Sequence, residues 1–278
     1  MTRSSRTSRR RRRRPEGAGR PVARPPARGP IPKSAGELDA MAASGAVLAA
    51  CHEHLAEAVA AGITTGELDA MAESFIRGRG GVPSFKGYNG FTGSICASVN
   101  DEVVHGIPGA RALRDGDVIA VDIGVTLDGW VTDAARTYGV GRTSPIARRL
   151  IDVTRAALDR GVAAARAGNH VGDIGHAVQA EVEAAGFSVV RSLVGHGVGR
   201  AMHEEPQVPN FGRRGGGIEL QEGWVLAIEP MVNAGDHEVL LGDDGWTITS
   251  RDGSLSAHWE HTVAVTADGP RILTLPAG

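Results

Sequence analysis

Two cysteines, Cys51 and Cys96, are all that the 278 residues hold. That is too few for a disulfide framework and gives no sign of an oxidising compartment. No apolar run approaches the roughly 18 residues needed to cross a bilayer, so no membrane partner is expected and a cytoplasmic location is. Several catalytic signatures are also missing. His203-Glu-Glu-Pro206 lacks the second histidine of a zincin, and Gly195-x-Gly-x-Gly is not a dinucleotide fingerprint. Neither a Gly-x-Ser-x-Gly elbow nor a phosphate-binding Gly-Lys-Ser/Thr loop occurs. With 41% hydrophobic and 22% charged residues, the chain has the composition of a soluble globular protein.

Acids are scarce in one place. Residues 1–33 carry 12 of the 30 bases and one of the 32 acids, Glu16, which leaves 18 bases against 31 acids in residues 34–278. The net charge of −2 therefore hides a basic arm on an acidic body. The arm includes the run Arg9–Arg14 and six prolines after it, with only Val22 and Ile31 as large aliphatics. It cannot bury enough to offset its ordering entropy, so residues 1–33 are expected to be disordered and 34–278 to form the folded domain. No apolar stretch follows the arginines, which excludes a secretory or twin-arginine signal. A solvated tail, an over-extended start and a tether to a polyanion such as ribosomal RNA remain open.

Ser34-Ala-Gly-Glu37 and Thr64-Thr-Gly-Glu67 are capping boxes that predict helices, one running up to Gly62 and one to about Gly78. Ser144-Pro145 predicts a third, ending near Gly168, and a fourth follows to Gly186. Ala61-Gly-Ile-Thr-Thr-Gly-Glu-Leu68 and Ala167-Gly-Asn-His-Val-Gly-Asp-Ile174 match at an offset of 106. That repeat predicts two αβ halves related by a pseudo-twofold, with a site between them. Strands are expected at Ser94–Val99, Val189–Val194, Trp224–Val232, Trp246–Thr249 and Thr262–Thr266.

The most informative stretch is Val121–Thr137. Asp128-Gly129 favours a tight primed turn between two β-rich arms, which sets Leu127 opposite Trp130 and Asp122 opposite Ala135. Asp133 then lies diagonally across from Asp122 on the same face, roughly 7–8 Å away. Two carboxylates on an apolar sheet resist burial unless a cation joins them. The second half offers His196 between glycines, Glu229 in the apolar run Val225–Val232, and Glu260 beside Thr262–Thr266. Imidazole with carboxylates suits divalent Mn, Fe, Co or Zn. Asp122, Asp133, Glu229 and Glu260 carry −4 together, the charge of two divalent ions, leaving a water acidified toward neutral pH.

From about Ser34 to Leu275 the chain resembles bacterial-type (type I) methionine aminopeptidases of the pita-bread fold. The stretches that carry the likeness are Ser98–Pro108, the aspartate hairpin, Gly195–Gly199, His203–Val208, Ile228–Asn233 and Ser254–Thr262. The resemblance implies an α+β fold, with antiparallel sheet inside, helices outside and a dinuclear metal site between the halves. It implies that Asp133 and Glu260 bridge both ions, that Asp122 completes one, and that His196 and Glu229 complete the other. His105 is placed by it near the substrate's amino end and leaving amide, His203 at the scissile carbonyl, and Glu229 as proton shuttle. Tyr88, Phe91, Cys96 and Trp246 occupy the methionine pocket, with Met202 at its rim. Asn100 and Ser256 fall where some relatives hold a monovalent cation. Phe85, Asn89 and Met202 depart from the residues common in relatives, which concerns pocket dimensions rather than the reaction. The implied activity is removal of the initiator methionine when the second residue is small and uncharged, and the chain's own Met1-Thr2 fits that rule. The implied partners are nascent polypeptide N-termini and, through the arm, the ribosome; a monomer is expected.

Two rivals share the likeness. An aminopeptidase P or prolidase has the same ligand pattern, usually behind a large N-terminal domain, where here about 33 residues precede the body. A non-enzymatic pita-bread protein that binds peptide or RNA would have lost ligands, and all five are present.

Overall fold

The computed structural model describes Met1 and residues 29–276, so most of the expected disordered arm lies outside the described residues. The arm's last residue belongs to the body: Lys33 is buried, its amide donates to the Gly223 carbonyl at 2.7 Å, and its ammonium meets Glu204 at 2.6 Å.

The four expected helices form, the first three where their caps predict them: α1 (Ala35–Ala58), α2 (Thr65–Gly78), α3 (Pro145–Ala164) and α4 (Val171–Ala184). Ser34 and Thr64 each complete a reciprocal capping box with the glutamate three residues on. Ser144 accepts from the Ala147 amide ahead of α3, and His170 with Asp173 closes a box at α4. The first and third helices stop four residues short of the glycines expected to end them. In each case the chain leaves the helix and turns through a left-handed glycine, Gly62 (φ 100°) and Gly168 (φ 86°), a conformation that costs glycine least.

The repeat is a structural one. After each of those glycines the chain is held by three backbone bonds to a returning segment. In the first half Gly62, Thr65 and Gly66 donate to Leu113, Arg111 and Gly109; in the second Gly168, Val171 and Gly172 donate to Leu220, Ile218 and Gly216. A Cβ at Gly66 would lie 3.0 Å from the Gly109 oxygen and one at Gly172 2.6 Å from that of Gly216. The matching glycines thus mark the same close approach twice.

The sheets are antiparallel and lie beneath the helices. In the first half Val118–Leu127 pairs with Trp130–Gly139 and with Ile95–Val99. The hairpin register is the expected one, Leu127 opposite Trp130 and Asp122 opposite Ala135, with Asp128 and Gly129 at positive φ in the turn. Leu48, Leu55, Leu68 and Ile76 of the helices pack onto Ile95, Ile119, Val121 and Ile123. Ala72 and Ile76 are buried on the inward face of α2, with Met71 and Phe75 half-buried beside them. In the second half Leu158, Val162 and Ile174 pack onto Leu226, Ile228 and Val263. Each such side chain stabilises the fold by about 1.5–3 kcal/mol through apolar burial.

Two expected strands are broken. Val189–Val194 contributes only the ends of two strands, Ser188–Val189 and Val194–Gly197. Trp224–Val232 splits into Val225–Ile228 and Met231–Asn233, which belong to different sheets, with Glu229-Pro230 between them. Proline has no amide to give a ladder, and the break frees Glu229 to leave the sheet plane.

Candidate metal centre

The two halves are stitched together by hydroxyls at the site itself. Thr262 Oγ1 accepts from the Asp133 amide at 2.9 Å and donates to the Asp133 carbonyl at 2.8 Å. Thr137 Oγ1 does the same for His258, donating to its carbonyl at 2.7 Å and accepting from its amide at 2.9 Å. The Glu260 amide donates to the Ala135 carbonyl across the same seam. The broken strands of the second half keep one register, His261 opposite Ile228 and Met231 opposite His258. Counted through the gap, Glu229 therefore stands opposite Glu260, as Asp122 and Asp133 stand together in the first hairpin.

His196 reaches this seam because its neighbours have no side chains. A Cβ on Gly195 would lie 2.3 Å from the Ala227 oxygen, and one on Gly197 2.1 Å from the Glu205 oxygen. Both contacts are to rigid backbone. Substituting Gly197→Ala is expected to cost about 2–3 kcal/mol through overpacking and to move His196 off its position; thermal melting with and without added divalent ion checks both effects.

Asp133, His196 and Glu260 each offer an atom within 4.8 Å of the others. His196 Nε2 lies 3.6 Å from Glu229 Oε1 and 4.0 Å from Asp133 Oδ2. His196 Nδ1 sits 2.9 Å from the Gly197 carbonyl. Since a carbonyl only accepts, Nδ1 carries the proton and the Nε2 lone pair faces the carboxylates. Asp122 closes the cluster beside Asp133.

The electrostatics are those of a site built for cations. Burial pushes the Asp122 carboxyl up to about 7. Burial, then repulsion from Asp122 and Glu229, lifts Asp133 well above the carboxylate range. Glu229 and Glu260 are raised for the same reasons, burial first and neighbouring carboxylates second. Burial lowers His196 to about 4, with nearby His203 adding to the shift. Buried carboxyl oxygens of Asp122, Asp133 and Glu260 have no hydrogen-bond partner, and such orphans are costly unless a cation meets them. The residues fit a divalent metal site.

The cluster forms one wall of a cavity of about 380 Å³. Phe91, Cys96, Met202 and Trp246 line it, with Phe85, and all are buried or half-buried in one apolar cluster. Phe91 and Trp246 meet edge to face at 5.1 Å. His105, held at a positive φ of 59°, and His203 also line the cavity; burial lowers both their pKa values, with His203 adding to the shift at His105. Tyr88 lines it too, and its hydroxyl meets His203 Nδ1 at 2.8 Å. That link was not read from the sequence, because 115 residues separate the pair. Asn100 and Ser256 are also brought together, the Ser256 amide donating to the Asn100 carbonyl. The Asn100 side chain bonds Asp117 and the Val118 amide, and the Ser256 hydroxyl donates to Val232.

Comparison with known proteins agrees with this geometry. Residues 39–267 match metallopeptidase family M24. The methionine aminopeptidase of Clostridium perfringens is 52% identical over 245 residues, covering 88% of this chain and 98% of that relative. Methionine aminopeptidase 1 of Mycobacterium tuberculosis is 51% identical over 264 residues, covering 92% and 99%. The crystal structure of methionine aminopeptidase from Rickettsia prowazekii superposes with a TM-score of 0.87 at 41% identity, over 88% of this chain and all of that one. The prolidase of Pyrococcus horikoshii, at 19% identity and TM-score 0.70, shares the fold, and the chain covers 64% of it. The chain belongs to metallopeptidase family M24, among its methionine aminopeptidases.

Proposed function

We propose that the chain removes the initiator methionine from nascent polypeptides whose second residue is small and uncharged. The observation that carries this reading is the narrow apolar slot of Phe91, Cys96 and Trp246 ending on the carboxylate–imidazole cluster. A slot lined by aromatic rings and sulfur suits an unbranched thioether. Asp122, Asp133, His196, Glu229 and Glu260 would hold two divalent ions, with Asp133 and Glu260 placed centrally enough to serve both. Divalent ions held there supply Lewis acidity and bring the pKa of water toward neutrality.

The chain's own groups do the rest. Glu229, its pKa raised by burial and by Asp122, accepts a proton from the attacking water and passes it to the leaving amine. In the tautomer that keeps its proton on Nε2, His203 accepts a hydrogen bond from the Tyr88 hydroxyl at Nδ1 and offers Nε2–H to the scissile carbonyl oxygen as charge develops there. His105 lines the same cavity, its ring edge-on to Trp246 at 6.5 Å, and there contacts the substrate's amino end and leaving amide.

The test is hydrolysis of Met-Ala-Ser against Ala-Pro-Ala after loading with Mn, Fe or Co. The methionine peptide is the expected substrate; preference for the proline peptide would make the chain a prolidase-type enzyme. The basic arm acts as a tether to ribosomal RNA in a cytoplasmic monomer. Because Lys33 is bonded to Gly223 and Glu204, the deletion that tests the tether is 2–28 rather than 2–33. Peptide turnover should be unchanged and salt-sensitive ribosome co-sedimentation weakened; unchanged co-sedimentation refutes the tether.

A further inference from the structure

His258 has no role in the site as described, yet it is among the most deeply buried polar residues of the chain, 2% exposed. Its Nε2 has no hydrogen-bond partner. That nitrogen faces two carboxylates almost evenly, 3.9 Å from Glu229 Oε2 and 4.0 Å from Glu260 Oε2. The backbone that carries the ring is fixed on both sides. Its backbone amide and carbonyl are both bonded to Thr137 Oγ1, and its strand is paired with Met231–Asn233 on the other side. A buried imidazole nitrogen without a partner is unfavourable, and so is a carboxylate that holds a cation with its remaining lone pairs unmet.

We propose that His258 is a positioning residue of the metal centre, whose Nε2–H hydrogen-bonds Glu229 and Glu260 and fixes both carboxylates for ion binding. The proposal rests on the metal-centre reading. Both separations are about 1 Å beyond a charge-assisted hydrogen bond, so a small rotation of either glutamate closes one. The placement also has a functional logic. Glu229 is the proposed proton carrier, and a donor on its Oε2 leaves Oε1, on the His196 side, as the oxygen for cation and proton. His258 precedes Glu260 by two residues, and in extended chain such residues share a face; that is the signal by which the sequence could have revealed it.

The experiment titrates Mn²⁺ and Co²⁺ calorimetrically into chelator-treated full-length wild type, His258→Ala, His258→Gln and His258→Leu, and records the visible spectra of the Co²⁺ forms. Removing an orienting partner typically weakens metal affinity 10–100-fold. That loss is expected for the Ala and Leu variants, with unchanged stoichiometry and an altered Co²⁺ spectrum. His258→Gln, which restores an N–H at similar reach, should recover affinity to within a few fold. Leu fills the space without donating, so a purely structural role would spare Leu and not Gln. Wild-type affinity in the Ala and Leu variants, or no rescue by Gln, overturns the proposal. Loss of a whole ion equivalent would instead make His258 a direct ligand. If wild type itself binds no divalent ion, the metal-centre reading fails, separately from the role of His258.

Discussion

Substituting Asp133→Asn is expected to abolish divalent-ion binding and lower Met-Ala-Ser turnover by at least about a thousandfold, while making the chelated protein more stable than chelated wild type. The two effects have one cause. Asp133 sits at the junction of the halves, buried, with its amide and carbonyl both held by Thr262, so the amide analogue keeps the backbone in place. The metal-free carboxyl is pushed up by burial and by Asp122 and Glu229; asparagine is neutral and nearly isosteric, and relieves that repulsion. With ions present the order reverses, because a shared negative ligand is gone and several kcal/mol of transition-state stabilisation go with it. Wild type at 100 times its dissociation constant gains about 2.7 kcal/mol from ion binding, and the variant should gain almost none. Thermal melts of both proteins, chelated and loaded, measure the crossing. Equal ion-induced shifts would remove Asp133 from the site.

Raising the pH from 6.5 to 8.5 is expected to destabilise the chelated protein and leave the loaded protein nearly unaffected. Unfolded aspartates and glutamates lose their protons near pH 4. In the folded, metal-free cluster the Asp122 pKa is about 7, and Asp133, Glu229 and Glu260 are raised above their usual range. The folded state thus binds more protons than the unfolded chain above pH 4, and stability falls as pH rises through the folded pKa values. Buried His52 and His258 (each about 3) and His196 and His261 (each about 4) act in the opposite sense. Their folded pKa values lie below the unfolded 6.5, so they cost stability only as pH drops below that value, outside the chosen window. Ions displace the cluster's protons, and binding should tighten with pH as those protons are released. Urea midpoints at both pH values, with chelator and with Mn²⁺, give the result; a chelated midpoint independent of pH would contradict the raised carboxyl pKa values.

Local chemistry carried most of the fold into the sequence. The Asp128-Gly129 turn fixed the hairpin register, and with it the diagonal placing of Asp122 and Asp133 on one face. Caps fixed the starts of the first three helices, and the repeat at an offset of 106 showed in advance the paired helix–glycine–helix corners. What escaped depends on partners distant in the chain. The strand run Trp224–Val232 reads as continuous because nothing local announces that its two ends enter different sheets. Glu260 looks like the start of a strand, yet its amide is committed to Ala135 in the other half. The Tyr88–His203 bond and the Lys33–Glu204 pair join segments with no common periodicity. The site itself was legible as a set of unaffordable buried charges; the resemblance, rather than spacing, assigned each its role.

The central claim is that ions held between Asp122, Asp133, His196, Glu229 and Glu260 are what make this cleft a methionine aminopeptidase. It is tested most directly by following Met-Ala-Ser hydrolysis while Mn, Fe or Co is titrated into the chelated enzyme under anaerobic conditions. The account predicts no turnover without ion, a rise with added equivalents, saturation by two, and methionine as the released product. Turnover in the fully chelated protein, or none with any of the three metals, would contradict it.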